Sequence, residues 1–526
     1  RKKKESWSRF LLLLKIFLLQ HLHELYKFYL KHPSLKQLLD AGQNLEGGFF
    51  LKGLAGSAVA FVLSGYVEQR RRPSLVVVND KEEAAYLFSD LSCLLPENQV
   101  YFFPSSYKRS VQYGQTLPDA IVQRTDVVAL LPALNENDER PVVVVTYPDA
   151  LFEKVVSLDT LSRNSIKIQK GEKVSPDFIC DTLTEYGFQR SDFVYEPGQF
   201  SVRGSIVDVF SYSASTPYRL DFFGDEVETI RSFDVEDQLS KELLSEVVII
   251  PNLQSPEDNP SRILLTDLLP PSTTLWVKNP ELVLNRMDEL SRIVSTATQL
   301  NASNFASRDI FSNSLLTRST LYFGIKPLSV QLPTFDFGTS PQPAFGKNFE
   351  LLVQKINEDA GRGYQTFILS DNSAQLERLD GIMHGIAPDI AYNPVEGTIS
   401  EGFVDHNLRI NLYTDHQIFE RYHRYKLKHE FNRRDAITMQ ELVDLQPGDY
   451  VVHIDHGIGI FGGLVSTEIN GKKQEAIRLV YQDNDTLLVS IHNLHKISKY
   501  RGKDAESPKI YKLGSGAWQR LKQNTK

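Results

Sequence analysis

Cysteine is almost missing from this sequence: Cys93 and Cys180 are the only two among 526 residues. Two thiols so far apart build neither a disulfide framework nor a thiolate metal cluster, which fits a reducing cytoplasm. A long uninterrupted apolar run is missing too. The nearest approach, residues 11–14 and 16–19, follows the basic start Arg1 to Lys4 and imitates a secretory signal. Lys15 splits it, His21, His23 and Glu24 follow at once, and no small-residue cleavage site appears. Residues 1–23 are therefore expected to be an N-terminal extension or amphipathic helix. No segment reaches the roughly 20 apolar residues of a membrane span, so no membrane partner is expected.

An excess of positive charge is also lacking. The formal net charge of -8 excludes a surface that tracks nucleic acid throughout, while leaving room for local basic patches. Paired carboxylates, a nucleophile beside a base, and metal-ligand clusters of workable spacing do not occur. His453 and His456 are two imidazoles with no third histidine or cysteine beside them, which makes a poor site, so no metal is expected.

What is present reads as ordinary globular material, too long for one core, which implies three to five domains. Residues 24–166 alternate helical and strand patterns. Leu75-Val76-Val77-Val78 and Val142-Val143-Val144-Val145 are continuous apolar runs, as strands buried on both faces of a parallel sheet require. Residues 167–250 change to short alternating segments, with Gly224-Asp225 where a hairpin would turn, and predict an inserted β-rich module. Residues 251–330 return to strand and helix and are expected to complete the first α/β domain. A Pro/Gly/Ser-rich stretch at 331–346 suggests a linker, followed by a small α/β domain at 347–415 and a basic helical connector at 416–444. From 445 to 510 the pattern is β again, with glycines suited to the bulges of a small barrel, and 511–526 begins a further segment.

One motif has the setting of a phosphate-binding loop without its chemistry. Gly53-Leu54-Ala55-Gly56-Ser57-Ala58-Val59-Ala60 follows an apolar segment and opens a helix. Against the working pattern G-x-x-x-x-G-K-[ST], Ala58 replaces the second glycine, Val59 the lysine and Ala60 the hydroxyl residue. Nothing here reaches the β- and γ-phosphates or holds magnesium, and Val59 puts a branched apolar chain where a triphosphate would sit. The loop around Gly53, Gly56 and Ser57 is expected to be an inactive remnant of a nucleotide-binding fold, and this chain not to be an ATPase.

Four segments carry a resemblance. They are Tyr101-Phe102-Phe103-Pro104-Ser105-Ser106-Tyr107-Lys108-Arg109 after the degenerate loop; Arg203-Gly204-Ser205-Ile206-Val207-Asp208-Val209-Phe210 with the run from Tyr218 to Glu226; the run from Gly448 to Gly459; and Tyr511-Lys512-Leu513-Gly514. In this order, across almost the whole chain, the sequence resembles bacterial transcription-repair coupling factors. The resemblance implies a UvrB-like α/β domain with a dead nucleotide site, a UvrA-interacting module, and a CarD-like, Tudor-like domain that grips the β subunit of RNA polymerase. It further implies an adaptor that recruits UvrA to stalled polymerase and starts nucleotide excision repair of the transcribed strand. The family's ATP-dependent DNA translocase motor should follow residue 511; on that expectation ATP and magnesium belong to the motor, DNA is met through it, and this part acts as a monomer without cofactor.

The resemblance places UvrA contacts on Arg203, Arg219 and Phe223. Strand alternation independently puts Arg219, Asp221 and Phe223 on one face and the apolar Tyr218, Leu220 and Phe222 on the other. An exposed aromatic beside arginine has the composition of a binding hot spot; the alternative is that Arg219 pairs with Asp221 or Glu226 and Phe223 covers a neighbouring domain. For polymerase the expected surface is a strand edge carrying Val465, Thr467, Ile469 and Arg478 around the turn Asn470-Gly471. Arg421, Arg424, Lys426 and Lys428, with Tyr422 and Tyr425 among them, offer a DNA contact, with a solvated connecting helix as the plainer reading. Two rival functions stand beside the adaptor: an active UvrB-like repair ATPase, which Val59 disfavours, and a stand-alone CarD-like transcription regulator, which the long front half disfavours.

Overall fold

The structure is a computed structural model that describes residues 20–41, 48–96, 99–107, 118–131, 134, 141–235, 238–252, 262–296, 302–327, 331–422, 445–453, 456–469, 472–490, 497–499, 510 and 512. The chain divides into two compact units, residues 1–429 and 430–526.

The first unit is built on a seven-stranded sheet. Its order is Thr334–Asp336, Phe49–Lys52, Thr320–Phe323, Thr274–Lys278, Ser74–Val77, Val143–Thr146 and Val100–Phe102, and every pairing is parallel. Ser74–Val77 and Val143–Thr146 are buried along their whole length, which is why their sequences show apolar runs without alternation. Helix Lys81–Leu94 starts at an Asp80 cap whose side chain accepts from the Glu83 amide at 2.9 Å.

The β-rich module leaves and rejoins this body through Ile166–Gln169 and Glu246–Ile249, which pair with each other antiparallel. Between them lies a six-stranded sheet in the order Ser240–Leu244, Glu226–Phe233, Tyr218–Phe223, Ile206–Val209, Gln199–Arg203 and Gln189–Arg190. Its inner face (Phe200, Val207, Val209, Leu220, Phe222, Val227, Ile230) packs with Ile179 and Leu183 of helix Pro176–Glu185. Phe223 pairs with Glu226 across the turn, where Gly224 takes φ +62°, a conformation that costs other residues a Cβ clash.

A second, six-stranded sheet follows the order Gln20–His21, Asn393–Glu396, Gln365–Ser370, Ile410–Thr414, Phe403–Asp405 and Thr339–Pro341. The first four strands run parallel and the last two pairings are antiparallel. The two sheets share one continuous apolar core in which Phe61 and Trp276 belong to the same cluster as Phe367, Leu369 and Phe403. Buried Tyr29 donates its hydroxyl to buried Asp405 at 2.8 Å and stitches the N-terminal segment to this second sheet.

Two sequence expectations need correcting here. The stretch 331–346 is not a free linker, because it supplies Thr334–Asp336 to the edge of one sheet and Thr339–Pro341 to the edge of the other. Pro and Gly are poor in central strands but tolerable at an edge, where one row of backbone groups goes unused. The last residues of 1–23 are likewise part of the fold: Gln20–His21 adds a parallel strand to Asn393–Glu396, and Leu22 is buried. A two-residue strand leaves no periodic trace in the sequence. Residues 1–19 lie outside the described ones.

The second unit is a five-stranded antiparallel sheet, ordered Thr486–Ser490, Lys472–Val480, Gly457–Ile469, Tyr450–His453 and Ile497–Lys499. Val451, Phe461, Ile477, Leu479, Tyr481, Val489 and Ile497 form its core. The register shifts between Phe461 and Leu464, where Gly462 and Gly463 make a bulge and Gly463 has φ +94°. Of 511–526, Lys512 is the described residue.

Candidate partner-binding surfaces

In the degenerate phosphate loop, Gly53 and Gly56 take φ +72° and +52°, and helix Ala58–Arg70 begins directly after Ser57. Two of the loop's amides are already taken by groups from elsewhere in the protein. Ala55 N donates to Thr339 Oγ1 at 2.8 Å, and Ser57 N donates to the Glu401 carbonyl at 3.1 Å. Ser57 Oγ donates to Asp90 Oδ2 at 2.6 Å and accepts from Glu401 N at 3.0 Å. Asp90 is buried, and desolvation pushes its carboxyl up to about 6, against the pull of the Ser57 and Ser400 hydrogen bonds. Val59 is half-buried against the main core, and Ala58 and Ala60 are fully inside it.

In the inserted module, the outer face of the sheet is organised by a carboxylate that pattern reading missed. Asp208 is buried on Ile206–Val209 and lies in register with Arg219 on the next strand. Arg219 donates from Nε and Nη2 to Asp208 at 2.8 and 2.9 Å, and from Nη1 to the Gln238 carbonyl at 3.1 Å. Its guanidinium also lies 4.4 Å from the Phe233 ring centre. The bond to Asp208 raises the Arg219 pKa. Arg203 pairs with the same carboxylate, donates to the Asp192 carbonyl at 3.2 Å and stacks 4.8 Å from the Phe193 ring centre. Arg219 thus spends its hydrogen bonds on Asp208 and the Gln238 carbonyl, while Asp221 binds Arg231 and Thr229. A carboxylate inside the apolar run Ile206-Val207-Asp208-Val209-Phe210 was the available signal, since buried Asp is nearly always paired.

Alternation along Tyr218–Phe223 holds: Leu220 and Phe222 are buried, while Phe223 is 81% exposed. The side chain of Arg219 is only 13% exposed and that of Arg203 33%. The three residues therefore share a face without being equivalent. Leu243, in register with Arg231 on the edge strand, is exposed on the same side.

In the second unit, Lys472–Val480 pairs with Thr486–Ser490 from Ala476 to Val480, and Gly457–Ile469 pairs with Tyr450–His453 from Gly457 to Ile460. Toward residues 470 and 471, which lie outside the described ones, the hairpin pairs only with itself among the described residues. Val465 is half-buried opposite Ala476, and the backbones of Thr467 and Ile469 pair with Gln474 and Lys472. Arg478 does not belong to that tip. Its Nε and Nη2 donate to the Gly462 carbonyl at 3.2 and 2.8 Å, pinning the bulge.

Among the basic candidates, Arg421 is ion-paired with Asp415 and lies over the Phe419 ring, while Arg424, Lys426 and Lys428 fall outside the described residues. Among the described residues no group of three metal-ligating side chains occurs, and no helix is long and apolar enough to cross a membrane.

With these surfaces in place, the likeness to known proteins can be placed on them. Residues 166–254 match the UvrB interaction domain, and residues 445–501 match the CarD-like/TRCF RID domain. The transcription-repair-coupling factor of Bacillus subtilis (strain 168) is 26% identical over 90% of this chain and 47% of its own length. Those of Staphylococcus epidermidis (strain ATCC 12228) and Staphylococcus aureus (strain Mu50) are 23% and 21% identical, over 89% of this chain and 46% of theirs. The chain thus spans about half the length of the curated relatives it matches. It matches the UvrB interaction domain and then the CarD-like/TRCF RID domain, within a sequence similar along nine-tenths of its length to transcription-repair-coupling factors.

Proposed function

We propose that this chain is the adaptor part of a transcription-repair coupling factor. It holds stalled RNA polymerase through the polymerase β subunit and recruits UvrA, so that excision repair begins on the transcribed strand. The observation that carries this reading is the outer face of the inserted module. Phe223 stands 81% exposed on a strand whose register is fixed by the Arg219–Asp208–Arg203 cluster. A large aromatic presented to solvent has only two side-chain torsions to lose on binding and desolvates well, which are the properties of an anchor. The second contact is the hairpin end around Val465, Thr467 and Ile469, whose outer backbone edge offers strand addition to the polymerase.

In this reading the chain turns over no nucleotide. ATP, magnesium and the main DNA contact belong to the translocase motor of the full-length protein, and the adaptor works as a cytoplasmic monomer. Titrating the purified chain separately with UvrA and with the isolated β subunit tests the proposal. Saturable binding to both, with neither competing against the other, is expected; failure to bind either protein would overturn it.

A further inference from the structure

The phosphate loop has an occupant, and it is protein. Ser400, Glu401 and Gly402, from the second sheet's side of the first unit, lie against Gly56 and Ser57. Each of their six backbone polar groups has a partner. Ser400 N donates to Asp90 Oδ1 at 2.7 Å and its carbonyl lies 3.0 Å from His416 Nε2. Glu401 N donates to Ser57 Oγ at 3.0 Å and its carbonyl accepts from Ser57 N at 3.1 Å. Gly402 N donates to Gln417 Oε1 at 2.6 Å and its carbonyl accepts from Gln342 N at 3.1 Å. Thr339 fills the loop's other end, donating from N and Oγ1 to the Gly53 carbonyl at 2.9 and 2.8 Å while accepting from Ala55 N.

The approach is close enough to dictate sequence. A Cβ on Gly56 would stand 2.9 Å from the Gly402 carbonyl oxygen and 3.1 Å from that of Glu401. Gly56 is therefore kept for packing against this peptide as well as for its positive φ. In an active loop the amides at such positions point at phosphate oxygens. Here a peptide carbonyl and a threonine hydroxyl take those places, and the carboxylate of Asp90 holds the peptide from behind.

We propose that Ser400-Glu401-Gly402 is the permanent intramolecular occupant of the phosphate loop, locking the two α/β sheets together and excluding nucleotide independently of the missing lysine. The loop has become a socket. Loss of the lysine and occupation by peptide are separate barriers, so reversing the first leaves the second standing.

Two measurements test this. In the triple variant Ala58→Gly, Val59→Lys, Ala60→Ser, a fluorescent ATP analogue with magnesium should show no saturable binding up to millimolar concentration. Micromolar binding by that variant would overturn the proposal. The second measurement uses the unaltered chain and Ser57→Ala, so it stands even if the triple variant does not fold. Amide hydrogen exchange at Ser57, Ser400 and Glu401 should be slowed on the order of a hundredfold or more relative to an unstructured peptide. Ser57→Ala should then speed exchange at Ser400 and Glu401 by about tenfold, the scale of one hydrogen bond. Exchange of these amides at the unstructured rate in the unaltered chain, or no change at Glu401 in Ser57→Ala, would also overturn it.

Discussion

The Arg219 guanidinium grips Asp208 side-on, with Nε 2.8 Å from one carboxylate oxygen and Nη2 2.9 Å from the other. Asp208 is fully buried, so this two-point contact holds an otherwise uncompensated charge inside the module. Family resemblance marks Arg203, Arg219 and Phe223 alike as contact residues, yet the geometry separates them into two arginines that hold the sheet and one aromatic that stands free of it.

Phe223 is accordingly the clean probe of the proposed UvrA binding. Phe223→Ala should weaken binding by about 2 kcal/mol, roughly thirtyfold, as loss of an exposed anchor does. Its effect on thermal stability should stay within about 0.5 kcal/mol, because the ring covers little of the folded protein. Isothermal titration with UvrA beside a thermal melt checks both. Unchanged affinity would remove Phe223 from the interface.

Arg219→Ala should behave differently. It leaves Asp208 with one arginine and is expected to cost about 3 kcal/mol of module stability, the range for breaking a buried pair. Adding Asp208→Asn should recover part of that loss, since the stranded charge is gone. Urea unfolding of the two single variants and the double variant measures the coupling. Strict additivity would mean the two side chains do not interact.

For the proposed polymerase contact, Thr467→Asp or Ile469→Pro should abolish binding to the β subunit while the sheet still folds. Arg478→Ala acts elsewhere, at the Gly462 carbonyl. It should loosen the bulge and lower stability by about 1 kcal/mol, the worth of a typical hydrogen bond. Pull-down of the β subunit, with circular dichroism on each variant, separates the two effects. Retained binding in both hairpin variants would sink strand addition at this tip.

Asp90 gives a pH signature. Its folded-state pKa, about 6, is above the ordinary carboxyl value of 3.8. Its contribution to stability is therefore fully present below the unfolded value and lost as pH rises through about 6. Between pH 7.5 and pH 5 the wild-type chain should gain on the order of 1 kcal/mol from this group, an increment Asp90→Asn should lack. Denaturant midpoints at the two pH values give the difference between the proteins. Equal pH slopes would show that Asp90 titrates normally.

The sequence by itself determined features set by neighbours along the chain. Continuous apolar runs at 75–78 and 142–145 became parallel strands buried on both faces. Alternation from Tyr218 to Phe223 put Phe223 outside, and Gly224 with Asp225 marked the hairpin. The losses at Ala58, Val59 and Ala60 were legible from spacing alone. Tertiary structure decided which distant groups meet. It chose Asp208 over Asp221 and Glu226 for Arg219, gave Arg478 to the Gly462 bulge, drew 331–346 into two sheet edges, and brought Glu401 to Ser57 across 344 positions. Periodicity reports how one segment divides itself between core and solvent. Pairing and occupancy depend on how sheets stack and where edges fall, which no single segment encodes.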